Sequence, residues 1–455
     1  MNSLRTSSDL AGSAQKYPLL LFRGAAIAAL GGFLFGFDTA VISGAERALQ
    51  RAFDLSPLWL GFTVASALIG TIVGSMAIEK PADVWGRKRT LILLAVLYFV
   101  SSIGCAAANS WMMLLMFRLL GGLAIGGSSV VAPMYIAEIS PVHLRGRLVA
   151  LNQLNIVLGI LISFFSNYLI SRFYTGPDSW RLMLGVVAIP ATIFFALLFA
   201  IAESPRWLVK AGRPEKAELV LQHLGNLAPA NTVDEISRSL EGDGAQERLF
   251  QRRYLRPIFL AWAIAMFNQL SGINALMYYA PRIFEMTGST ERIALLQTVA
   301  VGGTNLVFTI VGMSLIDWVG RRRLIIWGSF GYLASLLTIA WAFHHYGGHF
   351  DSVGSTTAAV SLLVFQASHA MSQGAVIWVF ISEIFPNAVR AKGQALGSAT
   401  HWFMAALIGW TFPSIAAWSG ASAFAFFAAM MGLQLLFAWK IMPETRLVSL
   451  ENAGS

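Results

Sequence analysis

Charge is what this sequence has least of. Only 12% of its 455 residues are Asp, Glu, Lys or Arg, against roughly 25% in a soluble domain, while 56% are apolar. Cysteine is nearly absent: Cys105 stands alone, which excludes an internal disulfide framework and any cysteine-rich metal site. The segment between the two apolar blocks has no phosphate-binding glycine loop, and no nucleophile–base motif occurs anywhere. Neither an ATP-driven machine nor an enzyme is expected, and no cofactor or metal is implied. No cleavable secretory signal opens the chain, because Met1 to Pro18 is short and polar and the apolar run behind it is too long.

What the chain has is apolar sequence in long runs. About 20 such residues suffice to cross a bilayer as a helix. Runs of that length fall near 24–44, 58–79, 90–108, 112–137, 146–170 and 182–202, and again near 256–280, 294–316, 324–344, 357–381, 393–418 and 420–442. The expectation is an all-α membrane protein with twelve transmembrane helices in two six-helix bundles, in contact with membrane lipid. Membrane barrels are excluded, since their strands alternate in character. The domain plan is an N-terminal segment 1–18, a first bundle 19–202, a helical linker 203–255, a second bundle 256–442 and a tail 443–455.

Basic residues orient this plan. With a cytoplasmic N-terminus, 25 of the 32 Lys and Arg fall in inner segments, six fall outside, and Arg118 lies within a span. The positive-inside rule then puts both termini in the cytoplasm. The net charge of +9 is topological and implies no nucleic-acid partner.

The chain also repeats itself, with a period of about 240 residues. Asp83-Val-Trp-Gly-Arg87 before span 3 answers Asp317-Trp-Val-Gly-Arg321 before span 9. Glu138 and Arg145 after span 4 answer Glu383 and Arg390 after span 10, and Glu203 after span 6 answers Glu444 after span 12. Two similar halves point to a pseudo-twofold transporter with a site between them. The expected pairs are Asp83 with Arg87, and Glu138 or Glu383 with Arg145 or Arg390. With Arg147, Glu203, Asp317, Arg321 and Glu444 they form a cytoplasmic latch that locks the bundles in one state. The alternative is that these basic residues only fix topology.

The set of motifs resembles the sugar porter family of the major facilitator superfamily. It comprises the two Asp-x-x-Gly-Arg copies, Ala202-Glu-Ser-Pro-Arg206, Arg145-Gly-Arg147, Gln269-Leu-Ser-Gly-Ile-Asn274 and Pro443-Glu-Thr-Arg446. The chain departs from the family pattern at Ala202, at Asn268 and at Ala391-Lys392-Gly393. The resemblance implies monosaccharide transport by a chain acting as a monomer.

Among the acids only Asp38 is placed well inside a span, and among the bases only Arg118. A charge at mid-bilayer costs at least about 2.5–3.5 kcal/mol, so each needs a reason. Counting at 1.5 Å per residue puts both roughly 9 Å from the outer edge, where they can pair. A carboxylate facing Arg stays ionised, and one that loses its partner in a dry site takes up a proton. A helix movement that parts them would exchange conformational change for a proton; the alternative is a fixed structural pair. The resemblance favours coupling, because proton-driven family members carry Asp at this position.

A sugar offers hydroxyls and apolar ring faces, so its site needs amides and aromatic rings. Amides inside the expected spans include Gln153, Asn268, Gln269, Asn274 and Asn305; Asn152, Asn155, Gln373 and Gln394 also occur. Gln269 and Asn274 differ by about 140° on an ideal helix, but Ser271-Gly272 can unwind it so that both face one cavity. By resemblance Gln153, Gln269, Asn274, Asn305 and Trp378 are sugar contacts, and Asn268 and His401 hold such positions with a different residue type. Phe35 and Trp402 match aromatic contacts, and Tyr278 and Tyr279 match an outer gate. Ile160 stands where a xylose-carrying member has Gln, which favours a hexose such as glucose. His344, His345, His349 and Asp351 read as a solvated outer loop. Proton-coupled sugar symport is the reading; a facilitative uniporter and a non-transporting sugar receptor are the alternatives.

Overall fold

A computed structural model describes residues 19–174, 176–241, 248–386 and 388–446. The expected N-terminal segment 1–18 and the tail beyond 446 lie outside the described residues. Within them the chain is helical, without strands. The first half contributes span 1 (Leu19–Ala52), span 2 (Pro57–Ala77), span 3 (Arg87–Ala106), span 4 (Trp111–Ile139), span 5 (Val142–Phe173) and span 6 (Ser179–Leu198). The second contributes span 7 (Arg252–Met286), span 8 (Glu291–Val319), span 9 (Arg321–Tyr346), span 10 (Ser352–Glu383) and span 12 (Gly420–Lys440).

Among the described residues these eleven segments are long and apolar enough to cross a membrane. The expected twelfth, span 11, exists as a 29-residue helix, Arg390–Trp418, but falls short in apolarity. Its N-terminal part carries Lys392, Gln394, Ser398, Thr400 and His401, polar groups that lower its hydropathy, and of these His401 lines the central cavity.

The halves meet along spans 2 and 11, along spans 5 and 8, and where span 1 touches the second part of span 7. Span 2 begins on a capped turn: Ser56 accepts from the Trp59 amide and Pro57 opens the helix. Span 10 begins likewise, with the Asp351 carboxylate accepting from the Gly354 amide at 2.7 Å. That carboxylate therefore serves as a helix cap, and the expected outer loop is shorter than the sequence suggested: His344 and His345 belong to the last turn of span 9, leaving His349 between the two helices.

Two spans are broken where function is expected. Span 7 stops at Leu270 and restarts at Ile273, with Gly272 at φ +88° between them. That left-handed conformation suits glycine, and a Cβ there would sit 2.6 Å from the Phe427 ring. Span 10 breaks at Ser372, between Ser352–Met371 and Gln373–Glu383. Between the halves, helices Pro205–Lys210, Pro214–His223 and Pro229–Glu241 carry a small core of their own built on Trp207, Ala217 and Leu221. It docks on the end of the molecule that bears Asp83, through Trp207 Nε1 donating to the Asp83 carbonyl at 2.8 Å. This end is called the basic face below, and the other the opposite face.

Candidate functional site

At the basic face one construction is made twice. Gly86 and Gly320 precede spans 3 and 9 with φ of 93° and 96°, which turns the next amide toward a carboxylate. The Arg87 amide donates to Glu203 at 2.9 Å and the Arg321 amide to Glu444 at 3.0 Å. A Cβ on either glycine would fall 2.3 Å from Glu203 Oε2 or 2.5 Å from Glu444 Oε2. The Arg87 guanidinium then reaches Glu138 at 2.9 Å and Asp83 at 3.2 Å. Arg321 reaches Glu383 at 2.7 Å and Asp317 at 3.0 Å. Burial pushes the Glu203 carboxyl above its usual range against the backbone amides that donate to it. For Asp83 burial acts in the same direction, but Lys210 and then Arg87 outweigh it and hold that carboxyl below the usual range.

This corrects the expected pairing. Glu138 and Glu383 are taken by Arg87 and Arg321, whose forked donors serve several acceptors at once. Arg145 and Arg390 instead cap carbonyls, Ala137 and Phe385, each at 3.2 Å, and Arg147 is exposed. Every ion pair named here joins helices of the same half, so in this conformation the clusters do not lock one bundle to the other.

Midway between the faces lies a cavity of about 150 Å³ lined by both halves. The first half supplies Phe35 and Gln153; the second supplies Asn268, Gln269, Asn274, Asn305, Trp378, His401 and Trp402. All nine sugar-contact candidates therefore share one wall-to-wall space. The break at Gly272 does what the spacing required: Asn274 Nδ2 donates to Gln269 Oε1 at 2.8 Å. Gln269 in turn contacts Asn268 at 2.9 Å and the His401 ring at 3.3 Å. Phe35 meets Trp402 across the halves with ring centroids 5.6 Å apart, and Trp378 meets His401 at 5.0 Å. Gln394, by contrast, is exposed and away from the cavity.

The cavity also contains residues that the sequence reading missed. Gln366 and His369 line it from span 10, and both amide atoms of Gln366 are buried without a hydrogen-bond partner. The signal was available: Gln366 and His369, three apart on the first part of span 10, place two polar side chains on one helix face.

The opposite face is closed, and charges close it. Glu46 of span 1 takes a two-point contact from Arg282 of span 7 at 2.9 and 2.7 Å, Gln50 adds 2.6 Å, and Arg47 pairs with Glu285. Glu46 is 1% exposed. What differs from expectation is the length of span 1: its helix runs on to Ala52, and its last turns carry Glu46 into the contact between halves. Tyr278 and Tyr279 are buried beneath these pairs, with the Tyr279 hydroxyl donating to the Gly409 carbonyl of span 11 at 2.8 Å.

Asp38 and Arg118 are both buried, but the two do not form the expected ion pair. Arg118 reaches only the Val64 carbonyl, at 3.5 Å, and its Nε has no partner. Asp38 lies beside Gly121, whose Cβ position is 3.8 Å from Asp38 Oδ2. Gly121 is three residues, or about 4.5 Å along the helix, nearer the basic face than Arg118, so the depth count was short by most of one turn.

Comparison with known proteins bears on these parts together. The family model described as "Sugar (and other) transporter" matches residues 24–454. The chain belongs to that sugar transporter family. Its members are transporters rather than enzymes, and its fold is that of the major facilitator superfamily. The transporter is 36% identical to the D-xylose-proton symporter of Escherichia coli (strain K12), covering 94% of this chain and 93% of that protein. It superimposes on an inward-open structure of that xylose transporter with a TM-score of 0.84, at 35% identity, over 95% of this chain and 99% of that one. It is 35% identical to the glucose transport protein of Synechocystis sp., over 96% and 97%, and 35% identical to the arabinose-proton symporter of Bacillus subtilis, over 93% and 92%.

Proposed function

We propose that this transporter moves a monosaccharide together with a proton across the cell membrane by alternating access to the central cavity. One observation carries the reading: Gln153 faces Gln269 and Asn274 across a cavity shared by both halves, with Trp378, His401 and Trp402 beside them. Amides that donate and accept, flanked by aromatic faces, match a ring of hydroxyls with an apolar side. The relatives support the coupling, since two of those named carry a sugar with a proton.

In this reading Asp38 is the proton site and Arg118 its counter-charge. Sliding span 4 against span 1 by about one turn would bring them into contact, so proton binding and helix position depend on each other. The basic face is cytoplasmic, and with it both termini. Residues 19–202 and 256–442 rock against each other, tethered by 203–255, and the chain works as a monomer in lipid. The acid–base clusters stiffen each half, leaving Arg145, Arg147 and Arg390 to engage when the basic face closes. Two of the three named relatives carry pentoses, which favours a pentose as substrate. Ile160 in the cavity wall offers no hydrogen bond and keeps a hexose as the second reading.

Uptake of labelled pentoses and hexoses into proteoliposomes, with and without an imposed pH gradient, tests the proposal. The wild type accumulates one sugar only with the gradient, whereas Asp38→Asn loses accumulation yet still exchanges sugar. Equal wild-type uptake without the gradient would mean a uniporter. Binding without uptake would mean a receptor.

A further inference from the structure

Behind the cavity wall runs a chain of buried amides. Gln269 Nε2 donates to Asn268 Oδ1, Asn268 Nδ2 to Gln373 Oε1 at 3.4 Å, Gln373 Nε2 to Gln434 Oε1 at 2.6 Å, and Gln434 Nε2 to Ser329 Oγ at 2.9 Å. Gln373, Gln434 and Ser329 are essentially inaccessible to solvent and are not part of the cavity lining. Their backbones belong to spans 10, 12 and 9, so the chain crosses the whole second bundle.

Every link points the same way, and the far end shows why. The Ser329 hydroxyl gives its one proton to the Ile325 carbonyl at 2.8 Å, so toward Gln434 it accepts. Gln434 must then turn its NH₂ to Ser329 and its oxygen to Gln373, and the same constraint passes to Gln373, Asn268 and Gln269. At the cavity the consequence is chemical. Gln269 has committed one N–H to Asn268 and directs the other at the His401 ring, and its oxygen already holds an N–H of Asn274. What Gln269 itself keeps for a ligand is acceptor capacity, on the second lone pair of its Oε1, while the neighbouring Asn274 keeps its Oδ1 and its second N–H.

We infer that Gln373, Gln434 and Ser329 are positioning residues that fix the hydrogen-bond polarity of Gln269 in the sugar site, so that Gln269 reads a hydroxyl as a proton donor. The inference rests on the sugar reading above. Flipping the amides would turn N–H groups toward the ligand and read the same hydroxyl as an acceptor.

Monodeoxyfluoro sugars separate the two, because fluorine can accept weakly but cannot donate. Binding to the purified full-length chain is measured by calorimetry for the aldose that the wild type binds best and for each of its monodeoxyfluoro analogues. In the wild type, at least one fluorine position weakens binding by about 10-fold or more. In Gln434→Met and in Ser329→Ala, which touch no ligand, that fluoro-to-hydroxyl ratio falls to about 3-fold or less. A merely structural role would weaken parent sugar and analogue together and leave the ratio where it was; that result in either folded variant overturns the inference. If Gln434→Met does not fold, Ser329→Ala decides alone. A wild type that binds no aldose overturns the sugar reading itself, which is a distinct failure.

Discussion

Arg87 and Arg321, at the basic face, each gather carboxylates from their own half, whereas at the opposite face Glu46 and Arg282 join one half to the other. The chemistry is similar in both places, a largely buried guanidinium against a carboxylate, and the connectivity differs. An ion pair inside a half survives when the halves rock, so it contributes to the stability of every state. A pair between halves exists in one state only, so it sets an equilibrium between states. Under the alternating access proposed above, the same residue types would serve folding at one end and gating at the other.

The largest effect is expected at the opposite face. Glu46→Gln leaves Arg282 buried with only part of its partners, and removing one member of a buried pair costs about 3–5 kcal/mol. The open state escapes that penalty because there Arg282 meets water. Its population should rise by about 100-fold or more. In a Cys105→Ser background with Ile156→Cys as reporter in the cavity wall, a membrane-impermeant maleimide added at the opposite face should label faster. Unchanged labelling would break the comparison.

Arg87→Ala is the counterpart. It strands Glu138, while Asp83 keeps Lys210 at 2.9 Å, and a stability loss of about 1–3 kcal/mol is expected, read as a lower melting temperature. Labelling of the same reporter should keep its wild-type sidedness. A shift as large as that of Glu46→Gln would mean that the basic clusters do reach across the halves.

The cavity between the two faces should respond to neither pair in its chemistry, only in its access. Gln269→Ala and Asn274→Ala are each expected to weaken sugar binding by about 5- to 150-fold, measured by calorimetry, whereas Gln394→Ala, exposed near the start of span 11, should bind like wild type. Wild-type affinity in both cavity variants would move the site elsewhere.

The smallest effect concerns pH at the basic face. Lys210 and Arg87 hold Asp83 below the usual carboxylate range despite its burial. A depressed carboxyl contributes stability that is fully present above its unfolded value, near about 4, and is lost as pH falls through the folded value. The melting-temperature difference between wild type and Asp83→Asn should therefore hold steady from about pH 8 to about pH 5 and shrink below about pH 4. A difference that grows on acidification would contradict the assignment.

Most of the cavity was legible beforehand because lipid makes polar residues conspicuous. An amide such as Gln153 or Asn274 inside an apolar run needs a partner, and the Ser271-Gly272 step between Gln269 and Asn274 announced the break that turns both inward. The ion pairs were harder. Glu138 was matched to Arg145 by even spacing along the chain, but the turn after Ile139 carries Arg145 outward, while Arg87, distant in sequence, arrives beside Glu138 through the packing of spans 3 and 4. Glu46 was hidden for another reason: hydropathy marks where apolar character ends, not where backbone hydrogen bonding ends, and span 1 continues as helix to Ala52.

By itself the sequence determined what a solvent boundary imposes: the order and approximate place of the spans, the internal duplication, and the polar residue types that line the cavity. Those follow from composition and period, which are local properties. Tertiary structure alone decided which charges meet, whether a pair lies within a half or between halves, how far Asp38 stands from Arg118, and which way the amides from Gln269 to Gln434 point. Each of these depends on distances of a few ångströms between residues far apart in the chain, and only packing sets such distances.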